Sequence, residues 1–202
     1  MLKKFSFCAA TLILGIVFMT SAAHAIALSV NPISQNVLLG NSVGVTLDIS
    51  GLGDSSAPSL GVFDLDLIFD PTILAFNNVI FGDPILGDQL DIFGLGSFFT
   101  HDATTPGMVN LFELSLDDEA DLNNYQAASF SLATLTFNTL GTGTSSLGLS
   151  IKSLGDASGD PLVLDTLNNG SVTATAPVPE PSTWLLLFSG LIGMVGIKRK
   201  LA

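Results

Sequence analysis

Side chains able to do acid–base or covalent chemistry are scarce between residues 26 and 177. The chain has two histidines and one cysteine, and Cys8 and His24 both lie in its first 25 residues, which leaves His101 alone. His101 is followed by Asp102, and an imidazole beside a carboxylate is the base-and-orienter half of a nucleophilic site. The other half is missing from the pattern: there is no Gly-x-Ser-x-Gly elbow to present a serine. We therefore read His101 as a satisfied or exposed loop histidine. Carboxylates are plentiful, with 17 of the 18 acids inside 26–177, so the pair needed for glycoside hydrolysis is available by composition. Sugar-cleaving clefts are lined with aromatics, however. This stretch offers one tyrosine, Tyr125, and phenylalanines that periodicity sends to a core. A glycoside hydrolase is the weakest of the function classes considered, and the expectation is no enzyme.

The remaining chemistry open to these residues is binding a hard cation through oxygen. Asp156, Ser158 and Asp160 stand at positions 1, 3 and 5 of a loop, the spacing that opens an EF-hand-like calcium site. Pro161 then occupies the place of the required glycine and Leu167 that of the bidentate glutamate, so any calcium here needs another geometry. Asp117, Asp118, Glu119 and Asp121 form a second acidic cluster. Calcium at Asp156, Ser158 and Asp160 is one reading and solvated turn acids the other. No other cofactor is expected.

Charge narrows the partners. Between 26 and 177 the 17 acids face one base, Lys152, a net charge of −16. Nucleic-acid binders need Lys and Arg to displace counterions, so a nucleic-acid partner is excluded, and anionic lipid is repelled as well. With no thiol in this stretch, disulfides, thiolate metal sites and cysteine nucleophiles are excluded too. The domain must fold on its core alone, and its length allows that, because domains of about 150 residues bury ~68–70% of their unfolded surface.

The two ends carry addresses. Near the C-terminus Pro179-Glu180-Pro181 precedes the apolar run Trp184–Ile197 and the basic cluster Lys198-Arg199-Lys200. The prolines fix φ and keep the tripeptide extended. The run can enter a bilayer as a transmembrane helix, and the cations hold its end in the cytoplasm. Its 14 residues rise roughly 21 Å at ~1.5 Å each, short against a hydrocarbon core of about 30 Å. That suits a processed tail better than a permanent anchor. The order of these three parts resembles the PEP-CTERM sorting signal of Gram-negative bacteria. The resemblance implies that an exosortase cuts at or near the tripeptide and passes the exported protein to the cell surface. At the other end, Lys3 and Lys4 lead into an apolar stretch and then Ala23-His24-Ala25, the pattern of a signal peptide cut after Ala25 by signal peptidase. The domains are thus a signal peptide at 1–25, a body at 26–177 and a sorting signal at 178–202.

Within the body the period is two. From Val62 to Asp70 the residues Phe63, Leu65, Leu67 and Phe69 alternate with a row containing Asp64, Asp66 and Asp70, as in a half-buried antiparallel strand closed by Pro71. Like strands are expected at 27–30, 35–39, 43–49, 78–81, 108–115, 129–138, 145–151 and 170–175. Gly, Asn, Asp, Ser and Pro clusters separate them. Residues 72–77 and 119–127 read as short helical turns at most. The class is all-β, a sandwich of about nine strands. Gly40-Asn41-Ser42-Val43, then Leu60–Leu67 running into Phe69-Asp70-Pro71, then Phe130–Phe137 followed by the Gly-Thr-rich turn 141–146, resemble a cohesin-type domain. That resemblance implies a nine-stranded jelly roll akin in shape to carbohydrate-binding modules. The chain has no dockerin module, so cellulosome assembly is not implied.

The leading functional expectation is a non-catalytic exported protein. It would be held in the inner membrane with a periplasmic ectodomain, then moved to the cell surface or beyond. Its role would be structural or adhesive in an exopolysaccharide matrix or biofilm, with polysaccharide or another matrix protein as partner. The alternative is a carbohydrate-binding module, weakened by the absence of any tryptophan except Trp184 in the tail.

Overall fold

The computed structural model describes residues 25–177. The strands are β1 (Ile26–Asn31), β2 (Ser34–Leu38), β3 (Ser42–Ser50), β4 (Leu60–Ile68), β5 (Leu74–Phe81), β6 (Ser97–Asp102), β7 (Met108–Ser115), β8 (Ser129–Thr139), β9 (Gly143–Asp156), β10 (Leu164–Asn168) and β11 (Gly170–Thr175). One short helix, α1 (Glu119–Tyr125), lies between β7 and β8. They form two sheets, ordered β10-β1-β3-β8-β5 and β2-β11-β9-β4-β7-β6, packed as a sandwich. The chain changes sheets between β1 and β2. β1 pairs antiparallel with β3 and parallel with β10, while β2 runs parallel to β11.

Alternation along the strands explains the core. On β4, Phe63, Leu65 and Leu67 point inward, followed by Phe69 just past the strand end, and all four are buried. They meet Leu135 and Phe137 of β8 from the opposite sheet in one continuous cluster. The Phe69 and Phe137 rings pack edge-on with centroids 5.0 Å apart, a geometry that adds about 0.5–1.5 kcal/mol to area burial. Where β4 shifts register against β9, Gly61 is required: a Cβ there would lie 2.5 Å from the Asp156 carbonyl oxygen.

Eleven strands stand where about nine were expected, and the two additions, β6 and β10, are both edge strands. An edge strand that lies largely in solvent shows no alternation of buried and exposed residues, so its pattern carries no period to read. The helical turn expected at 72–77 is instead a tight turn leading into β5. The Asp70 carbonyl accepts the Ile73 and Leu74 amides, and the Asp70 carboxylate accepts the Thr72 amide and hydroxyl. The turn expected around 119–127 is α1. Among the described residues no helix is long and apolar enough to cross a membrane. The expected cleavage residue Ala23, the sorting tripeptide Pro179, Glu180 and Pro181, the apolar run and the basic residues Lys198, Arg199 and Lys200 lie outside the described residues.

Candidate functional site

The outer face of the six-stranded sheet presents the most ordered surface chemistry of the body. Register places its residues in rows across β6, β7 and β4. Phe98, Leu114 and Val62 form one row, Thr100, Phe112 and Asp64 the next, and Asp102, Asn110 and Asp66 the third. One end of the face is therefore apolar and the other acidic. Phe98, 60% exposed, packs edge-on to Phe112 with ring centroids 6.0 Å apart. At the acidic end the Asn110 amide donates to Asp64 Oδ1 at 2.6 Å and to Asp66 Oδ1 at 2.9 Å, which holds two like charges side by side. Lys152 from β9 completes the cluster with Nζ 2.8 Å from Asp66 Oδ1. That hydrogen bond pushes the lysine above its ordinary pKa. Asp102, at the rim, is held below the usual carboxylate range by the Thr104 amide and hydroxyl. A face of this kind can dock a partner through an aromatic patch beside oriented charges.

The other residues singled out from sequence are placed as follows. His101 lies on β6 rather than in a loop, exposed, its ring 5.7 Å from that of Phe76. Asp156, Ser158 and Asp160 share one turn, where Asp156 Oδ1 accepts the Ser158 amide at 2.9 Å and the Asp160 amide at 2.8 Å. Thus one oxygen of Asp156 shapes the turn, and the Ser158 and Asp160 side chains lie in solvent. The 117–121 cluster is split between elements. Asp118 is the N-cap of α1, Glu119 and Asp121 sit in its first turn, and Asp117 turns away to accept the Ile92 amide at 2.7 Å. Among the described residues no group of three or more His, Cys, Asp and Glu is arranged to hold a metal ion. Ala25, the last residue before the expected cut, is exposed, and the next residue, Ile26, donates its backbone N–H to Asp165 Oδ2 at 3.0 Å. Sequence reasoning missed the aromatic end of the outer face because it missed β6. The adjacent phenylalanines at 98 and 99 were the available signal.

Comparison with known proteins places these parts. Residues 177–200 match the model of the PEP-CTERM protein-sorting motif. The chain carries a PEP-CTERM sorting motif, and its body has a cohesin-like fold. The seventh ScaB type I cohesin from Pseudobacteroides cellulosolvens superposes with a TM-score of 0.59 at 18% identity, covering 79% of this chain and 97% of that one. A type I cohesin from a cohesin–dockerin complex of Clostridium thermocellum gives 0.59 at 16% identity, over 78% of this chain and 97% of that one. A non-cellulosomal cohesin from the archaeon Archaeoglobus fulgidus gives 0.52 at 18%, over 75% and 90%. No curated protein sequence matches the chain.

Proposed function

We propose that this chain is an exported, non-catalytic binding protein that reaches the cell surface through its C-terminal tail and acts there as a structural or adhesive component of the extracellular matrix. The observation that carries the reading is the sorting motif at 177–200 joined to a cohesin-like sandwich. In this reading signal peptidase cuts after Ala25, which frees an amine at Ile26 beside the Asp165 carboxylate. The run Trp184–Ile197 then spans the inner membrane, stopped by Lys198, Arg199 and Lys200, with residues 26–177 in the periplasm until an exosortase acts at Pro179, Glu180 and Pro181. Cohesins pair with dockerins in the similar complexes, which supports a partner-binding role for the sandwich here. The outer face of β9, β4, β7 and β6 supplies a docking surface. Its pair of exposed Phe98 and half-buried Phe112 also favours a second reading, a carbohydrate-binding module that stacks a matrix polysaccharide on those rings.

Fractionation of cells expressing Glu180→Ala tests the sorting half. The variant should accumulate in the inner membrane at full length, while the parent leaves it. A variant that reaches the surface as the parent does would defeat the reading. Glycan arrays probed with the released protein separate the two binding readings. Micromolar or tighter capture by one defined glycan favours the carbohydrate module.

A further inference from the structure

The inward row of β7 reads Val109, Leu111, Glu113, so a carboxylate occupies a core position, 0% exposed. It lies where the Gly82–Gly96 segment roofs one end of the sandwich. Glu113 Oε1 accepts the Ser97 hydroxyl at 2.6 Å, while Oε2 is buried with no donor facing it among the described residues. The same hydroxyl lies 3.4 Å from Asp88 Oδ2, and its single proton cannot serve both acids. Asp88 uses its other oxygen on the Leu90 amide at 2.9 Å, and neighbouring Asp91 accepts the Gly96 amide at 2.8 Å. Asp117, 9% exposed, adds a second buried oxygen without a partner. No cation is at hand: Lys152, the body's one base, is engaged with Asp66. Natural proteins rarely leave buried carboxylate oxygens unpaired, because each unpaired group costs about 1–3 kcal/mol and more when charged.

We propose that Glu113, Asp88 and the Ser97 hydroxyl form a divalent-cation site that takes calcium and ties the 82–96 roof to β6 and β7. The donors are all oxygen, which selects a hard cation over zinc or copper. They come from a strand, a neighbouring strand and a loop, and a loop can supply carbonyls to the six to eight ligands calcium accepts. Burial, reinforced by Asp88 and Asp91, pushes the Glu113 carboxyl up to about 8. This site is separate from the Asp156 turn and does not depend on the sorting reading.

Calcium chloride alone, titrated calorimetrically into the full chain in detergent after chelator dialysis, tests the site. One calcium per chain should bind with a Kd on the order of 10⁻⁴–10⁻³ M, the range of extracellular modules, and should raise the melting temperature. Glu113→Gln should weaken binding at least about tenfold. Asp88→Asn should do the same and carries the comparison if Glu113→Gln fails to fold. Asp156→Asn, in the exposed turn, should bind as the parent does. Absence of saturable binding in the parent would overturn the site. So would unchanged affinity in Glu113→Gln or Asp88→Asn, or loss of binding in Asp156→Asn.

Discussion

Phe63 on β4 shows how much one residue carries in this fold. Its ring is fully buried and stacks on Phe81 with centroids 6.4 Å apart, bridging the two sheets. Truncation to alanine should cost ~3–5 kcal/mol, a large share of the 5–15 kcal/mol typical of a domain. Urea unfolding of Phe63→Ala checks this, and an unchanged midpoint would mean the ring is not where the core is built. Glu113 offers a second test at the same scale, made with divalent cations chelated. Its folded pKa, raised to about 8 by burial and by Asp88 and Asp91 from the roof, lies above the ordinary value of 4.5. Below about 4.5 both states hold the proton. As pH climbs toward about 8 the unfolded chain releases it while the folded chain retains it, so stability falls, by a few kcal/mol in order of magnitude, and then levels off. Other carboxylates titrate too, so the readout is the difference from Glu113→Gln. The variant's advantage over the parent should grow between about pH 5 and 8. A constant difference would contradict the burial argument.

At the scale of elements, the strands that alternate were legible and those that do not were hidden. β4 announced its faces because Asp64 and Asp66 interrupt Phe63, Leu65 and Leu67 at a period of two. β6 and β10 sit at sheet edges, where solvent covers both faces and imposes no period. The docking face shared that fate. Asp64 and Asp66 read as a wet face, yet Asp66 is only 8% exposed because Asn110 and Lys152 pack on it, and that union with the Phe98–Phe112 pair needed the pairing of β6, β7 and β9 around β4. Glu113 was hidden for the opposite reason. In Met108–Ser115 a single acid at an inward position reads as an ordinary strand residue until the roof folds over it. If the outer face docks a partner, Phe98→Ser with Phe112→Ser should weaken capture of isolated matrix at least about tenfold, as expected of aromatic anchors. Phe98 is mostly exposed but Phe112 is half-buried, so a moderate fall in melting temperature is expected and capture is compared below the unfolding range of both proteins. Equal capture by the double variant would move the docking surface elsewhere on the sandwich.

Across the whole molecule, charge and export fit together. A body with 17 acids and one base carries a field that favours solubility and repels polyanions. Its contacts with a cationic or calcium-bridged partner should therefore weaken as salt is raised, since the Debye length falls from about 10 Å at 0.1 M to about 3 Å at 1 M. Retention on matrix that is unaffected by 1 M salt would point to an apolar interface instead. Individually weak contacts suffice on a crowded surface, where linkage raises effective concentration. The sorting motif was legible because its segments follow one another in the sequence, and residues 177–200 match it. The partner was not, since a fold shared with cohesins at 16–18% identity specifies a scaffold and leaves its surface free to change. The most direct test of the account is the intact mass of the protein released from the cell surface. The released protein should begin at Ile26 and lack Trp184 to Ala202. Recovery there of a chain that still ends in Lys198-Arg199-Lys200-Leu201-Ala202 would contradict it.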